Sequence, residues 1–149
     1  LDRRYPEPPI FGRTPEEAGV IMRVICEFEA YAEDHLMKIV RALFEGGVNE
    51  TNIGELTRAM LAVASEARTI EGRLSKGDWI VGDAYSAVDM VVFPAIQVLL
   101  RALKKPGAGV LASRFLPVEV NYPALGRWLD RVAALPGYGK TRPPHWHTS

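Results

Sequence analysis

Between Ser86 and Leu103 the chain is apolar on almost every side that a helix can present. Val88, Val91, Val92, Phe93, Ile96, Val98, Leu99 and Leu100 leave no broad polar face, so neighbouring elements have to enclose this segment. Its entry is built for burial. Ser86 and Asp89 form a capping box, in which the Ser86 hydroxyl accepts from the amide near Asp89 and the Asp89 carboxylate reaches back to the Ser86 amide. Tyr85 and Met90 occupy the two staple positions around the cap. A helix end inside a core needs this, because its orphan amides have no water to bond. Asp89 also sets negative charge at the positive end of the helix. Pro94 removes one backbone donor and predicts a kink. Lys104-Lys105-Pro106-Gly107 stops the helix.

The segments on either side have the periodicity of helices that cover a central one. Thr14-Pro15-Glu16-Glu17 is a helix start, with Thr14 as cap, Pro15 at the first helical position and Glu17 at the third. Ala18, Ile21, Ile25, Phe28, Ala32, Leu36, Ile39 and Leu43 then recur every three or four residues, predicting one helix to about Phe44 that Gly46-Gly47 closes. Met22, Cys26, Met37, Val40 and Phe44 widen this face beyond half the circumference, so the helix is expected to be covered on two sides: by the core, and on the other side by a partner subunit. A second helix is expected from Asn52, with Glu55 three residues on, to Gly77. Its buried stripe is Leu56, Ala59, Met60, Val63, Ala64, Ala67, Ile70 and Leu74. The short Gly- and Asn-containing link predicts that the two helices pack as an antiparallel hairpin. Val110 to Phe115 forms a short helix or a loop. Pro123 opens a last helix with Leu125, Trp128, Leu129, Val132 and Leu135 on one face, ended by Leu135-Pro136-Gly137; the tail from Tyr138 reads as irregular. No alternating strand pattern occurs. The expected fold is all-α, a bundle of about five helices.

Composition narrows the function classes. Lys plus Arg and Asp plus Glu both total 18, so the formal net charge is zero and no electrostatic footprint for nucleic acid or an acidic membrane is present. Cys26 is the only cysteine, which excludes an internal disulfide and fits a reducing, cytoplasmic setting. Ala87 to Leu100, the most apolar stretch, is too short and too polar, with Asp89, Pro94 and Gln97, to span a bilayer. No nucleotide loop, Ser-His-Asp set or zinc pattern is present.

Four patterns, in chain order, resemble the C-terminal domain of cytosolic glutathione transferases, bacterial ones in particular: Tyr5-Pro6-Glu7-Pro8-Pro9; Gly82-Asp83-Ala84-Tyr85-Ser86-Ala87-Val88-Asp89; Tyr122-Pro123-Ala124-Leu125 with Trp128-Leu129 and Leu135-Pro136-Gly137-Tyr138; and Pro143-Pro144-His145-Trp146. The resemblance implies that residues 1–13 are the linker from a thioredoxin-like domain absent from this chain, and that 14–149 are the all-helical domain. It further implies that glutathione is the co-substrate of the full protein, held mainly by the absent domain. The helical domain would supply much of the pocket for a small electrophile and most of a homodimer interface. This chain alone would then bind no cofactor, contain no catalytic residue and be inactive. The same shape also occurs as interaction modules in translation factors and aminoacyl-tRNA synthetases and in non-catalytic stress proteins, and the wide apolar arc of the first helix suits that role equally.

The resemblance draws attention to the polar strip of the first helix: Glu27, Tyr31, Asp34 and Lys38, spaced to lie on one line. By resemblance these are substrate-binding positions. Glu27 or Asp34 would pair with the glutathione ammonium, Tyr31 would line the electrophile pocket or donate a hydrogen bond, and Lys38 would meet a carboxylate. The alternative is a solvated face with an Asp34–Lys38 ion pair contributing about 0.3–0.5 kcal/mol. Ser86 and Asp89 are structural capping residues. Cys26 reads as a buried packing residue, His35 as a partly buried structural one, and His145 and His147 as flanks of a packed Trp146 rather than metal ligands.

Overall fold

In the computed structural model, which describes residues 8–141 and 143, Thr14 caps the first helix: its hydroxyl accepts the Glu17 N–H at 3.2 Å. The Glu17 carboxylate turns back to the Arg13 N–H at 2.6 Å, one residue earlier than a capping box requires. The helix runs as α1 (Pro15–Phe28), a π-helical turn (Glu29–Glu33), α2 (Asp34–Arg41) and a second π-helical turn (Ala42–Gly46). The backbone stays helical at each junction, so this is the single long helix expected, with two wide turns. The apolar spacing accounts for the first of them. Phe28, Ala32 and Leu36 follow one another at intervals of four, which drifts off a 3.6-residue helix and is brought back by a wider turn. Gly47, at φ +72°, ends the rod, its N–H bonded to Ala42 O at 2.6 Å.

α3 (Ile53–Leu74) buries Leu56, Ala59, Met60, Val63, Ala64, Ala67, Ile70 and Leu74, the stripe read from its spacing. Its entry differs from expectation. Asn52 makes no side-chain cap bond to the helix; the Asn49 side-chain Oδ1 accepts the N–H of Thr51 at 3.0 Å and of Asn52 at 3.2 Å. Asn52 instead bonds backward, donating to Gly47 O at 3.0 Å. The helix ends at Leu74, with Ser75 as its C-terminal cap, before Gly77. Glu27 reaches Arg73 and Lys38 reaches Glu55, so rising numbers on the first helix meet falling numbers on α3. The hairpin is antiparallel.

α4 (Ala87–Ala102) packs on α1 and α2, and α3 packs on α2 and α7. α5 (Gly109–Ala112), α6 (Val118–Asn121), α7 (Pro123–Ala133) and α8 (Tyr138–Thr141) complete the chain, with α8 in part of the tail expected to be irregular. No strand occurs among the described residues. Val88, Val92, Phe93, Ile96 and Leu99 of α4 are buried, while Val91, Val98 and Leu100 are half-buried, so the enclosure expected on all sides is complete on one side and partial on the other.

Both arms of the Ser86–Asp89 capping box are made. The Ser86 N–H and hydroxyl donate to Asp89 Oδ2 at 2.9 and 3.0 Å. The Ile80 N–H and Trp128 Nε1 donate to Oδ1 at 3.3 and 2.8 Å. Asp89 therefore joins the 80s loop, α4 and α7 at one buried point. The Ala87 N–H, another orphan of this helix end, donates to Ile10 O at 2.8 Å, which anchors the described part of the linker. The segment Tyr5-Pro6-Glu7 and the tail residues Pro144, His145, Trp146 and His147 lie outside the described residues.

Candidate functional site

Helical spacing places Glu27, Tyr31, Asp34 and Lys38 along one rod, but their polar atoms meet different surroundings. Glu27, half-buried, sits between Arg23 at 3.6 Å and Arg73 of α3 at 3.4 Å. Glu66, also on α3, joins this group: burial first and the charge of Glu27 second hold its carboxyl above the usual range, with Arg73 pulling it down. Lys38 donates to Glu55 at 2.6 Å, and this bond with the lysine charge lowers the Glu55 carboxyl. The Asp34–Lys38 pair is thus replaced by a crosslink between helices. Lysine has reach enough to choose a partner across the hairpin over one on its own helix.

Tyr31 lies in the π-helical turn and is 64% exposed. Asp34 is exposed and has no bonded partner among the described residues. Asp34 and Lys38 line a shallow concavity of about 650 Å³ with Glu33, Met37 and Arg41; Glu27 and Tyr31 do not border it. The strip is therefore split in two. Glu27 and Lys38 tie the long helix to α3, while Tyr31 and Asp34 face outward.

A larger depression, of about 710 Å³, lies between α4 and the α7–α8 corner. Met90, Phe93, Val132, Leu135 and Tyr138 form most of its apolar wall, with Tyr85 and Gln97 adding polar atoms. Phe93 holds the wall in place through edge-on contacts with Trp128 and Tyr138, with centroids 5.7 and 5.4 Å apart. Burial raises the Tyr85 phenol above its usual range, and the nearby Asp89 charge adds to this. The sequence marks Met90 as a staple residue and Phe93 as part of the apolar helix, but their convergence with Tyr138 depends on tertiary packing and is not legible in it.

Other residues are placed as follows. Cys26 is exposed, contrary to the packing role read from sequence, and Met22 and Phe44 are 46% and 41% exposed. An arc wider than half a helix exceeds what α3 and α4 can cover, so its edge remains open. His35 is half-buried. Among the described residues no group of three or more His, Cys, Asp or Glu is placed to hold a metal ion. Among the described residues no helix is long and apolar enough to cross a membrane.

Residues 32–136 match the family model described as glutathione S-transferase, C-terminal domain. The chain belongs to this family. The match takes in Asp34, Lys38 and the whole Ser86–Asp89 cap, and starts beyond Glu27 and Tyr31. Among solved structures, the chain is similar to a glutathione S-transferase from Xanthobacter autotrophicus Py2, with a TM-score of 0.69 and 18% sequence identity. The similarity covers 91% of this chain and 60% of that one, and at this identity it speaks for the fold. No curated protein matches the chain. The capped central helix is thus part of a glutathione S-transferase C-terminal fold.

Proposed function

We propose that this chain is the helical part of a glutathione transferase that conjugates glutathione to small electrophiles in the cytoplasm. In this reading a thioredoxin-like domain precedes it, binds glutathione and activates its thiol. The helical domain contributes the electrophile pocket and the surface joining two subunits, and is inactive alone. Family membership carries the reading, and the chain's span of 60% of a solved transferase agrees with it. The outward-facing Asp34 and Tyr31 support a role beside substrate, as a carboxylate for the glutathione ammonium and a phenol for the co-substrate. Glu27 and Lys38 serve the same site as positioning residues, through Arg73 and Glu55. The open apolar edge with Met22 and Cys26 suits the subunit interface.

Steady-state kinetics of the two-domain protein test these roles. Losing a charge-assisted bond worth about 1.5 kcal/mol, Asp34→Asn should raise KM for glutathione roughly tenfold with little change in kcat. Tyr31→Phe should lower kcat/KM for the electrophile and leave KM for glutathione in place. An unchanged glutathione KM in Asp34→Asn would remove that residue from the site. A folded two-domain protein without glutathione affinity would favour an interaction module instead.

A further inference from the structure

The segment before α1 is pinned to two helices at once. The Ile10 carbonyl accepts the Ala87 N–H at 2.8 Å, which ties it to the first turn of α4. Three residues later the Arg13 N–H donates to Glu17 Oε2 at 2.6 Å, which ties it to the first turn of α1. Around and between the pins the chain turns tightly: the Ile10 N–H donates to Pro8 O and the Gly12 N–H to Pro9 O, both at 2.9 Å. Pro8 and Pro9 hold φ at about −65° at two successive positions. Gly12 takes φ +86°, and a Cβ there would stand 2.6 Å from Glu17 Cβ, so a larger residue fits only if the turn moves. The space left between this strap and the loop carrying Tyr85 and Ser86 is about 80 Å³.

A tether that only joins two domains needs neither pin, and a proline-rich one can simply stay extended. A single pin would let the preceding chain swivel. Two pins on different helices, with α1 packed on α4, fix both the point at which the preceding chain arrives and its direction. Under the proposed function the preceding domain carries the thiol and this one places the electrophile. The angle between the two domains then sets the alignment of the reactants, and a misplacement of about 1 Å can cost about a hundredfold in rate.

We propose that Gly12 and Glu17 are positioning residues: the strap they close holds the preceding domain at one fixed orientation on the helical domain. This rests on the proposed function for its effect on rate, whereas the orientation is measurable without catalysis. In the two-domain protein, residual dipolar couplings should fit one common alignment for both domains, and Gly12→Ala or Glu17→Ala should split it into two. Amide exchange at Ala87 should accelerate about tenfold or more in Gly12→Ala, while the Ser86 amide, bonded to Asp89, keeps its protection. With glutathione and a chloronitrobenzene, both variants should lose about tenfold or more in kcat, with a smaller change in KM for glutathione. Glu17→Gln keeps an acceptor oxygen and should restore most of the rate. Thr14→Ala removes the other side-chain bond at the same helix end, and should lower stability without separating the alignments. One common alignment retained in both Gly12→Ala and Glu17→Ala would overturn the proposal, as would a loss of kcat in Thr14→Ala equal to that in Glu17→Ala. A wild-type protein that does not conjugate would count against the proposed function instead, with alignment and exchange still deciding the role of the strap.

Discussion

Asp89 concentrates the logic of the fold in one side chain. It is fully out of water, yet its two oxygens accept from Ser86, Ile80 and Trp128, so an isolated carboxylate becomes a junction of three segments. Burial dominates its titration and raises the carboxyl, with the hydrogen bonds from Ser86, Trp128 and Ile80 opposing. A raised folded-state pKa means that the native state holds this proton more firmly than the unfolded chain. Its favourable contribution is full below the unfolded pKa and is lost as pH rises through the folded pKa. Asp89→Asn keeps the shape but points amide protons at donors, and should cost about 2–3 kcal/mol near neutral pH. In urea unfolding of both proteins across a pH series, the wild-type advantage should grow as pH falls through the carboxylate range. An advantage that shrinks toward low pH would mean that the donors, not burial, control this group. The capping role was legible because Ser86 and Asp89 stand three apart in sequence. The bonds from Ile80 and Trp128 were not, since they join residues 9 and 39 positions away.

At the scale of elements, periodic stripes were legible and their partners were not. All eight buried positions of α3 follow from spacing alone, because one helix with one covered face obeys a single period. The first rod obeys it less well, since its π-helical turns reset the register and its exposed edge leaves Met22 and Cys26 in solvent. Partner choice is a tertiary matter: Lys38 takes Glu55 rather than Asp34. The start of α7 makes the same point. Tyr122 supplies no side-chain cap, and Pro123 has no N–H to offer. The next two amides, of Ala124 and Leu125, donate to the two carboxylate oxygens of Glu71 on α3 at 2.9 and 2.8 Å. Glu71 thus does from another helix what a local cap does from one residue away. Glu71→Ala should destabilise the protein by about 1–2 kcal/mol in urea unfolding, and Glu71→Gln by less. A loss within error for both would mean that α7 is held by Trp128 and Leu125 packing alone.

For the molecule as a whole, the enclosed α4 divides the surface into regions with separate prospects. One side carries the long helix with Asp34 and Tyr31 facing outward, the α7–α8 corner holds an apolar depression, and a second cleft at the far end is lined by Leu100, Leu116 and Leu129. The fold was legible because burial of α4 demands covering helices around it. The depressions were not, because each forms where residues distant in sequence converge. Under the proposed function, thiol chemistry belongs to a preceding domain and substrate placement to this one. The most direct test compares conjugation of a chloronitrobenzene with glutathione by the two-domain protein and by this chain alone. The account predicts turnover by the first and no rate above the uncatalysed reaction for the second. Turnover by the chain alone, or a well-folded two-domain protein that neither binds glutathione nor conjugates it, would contradict the account.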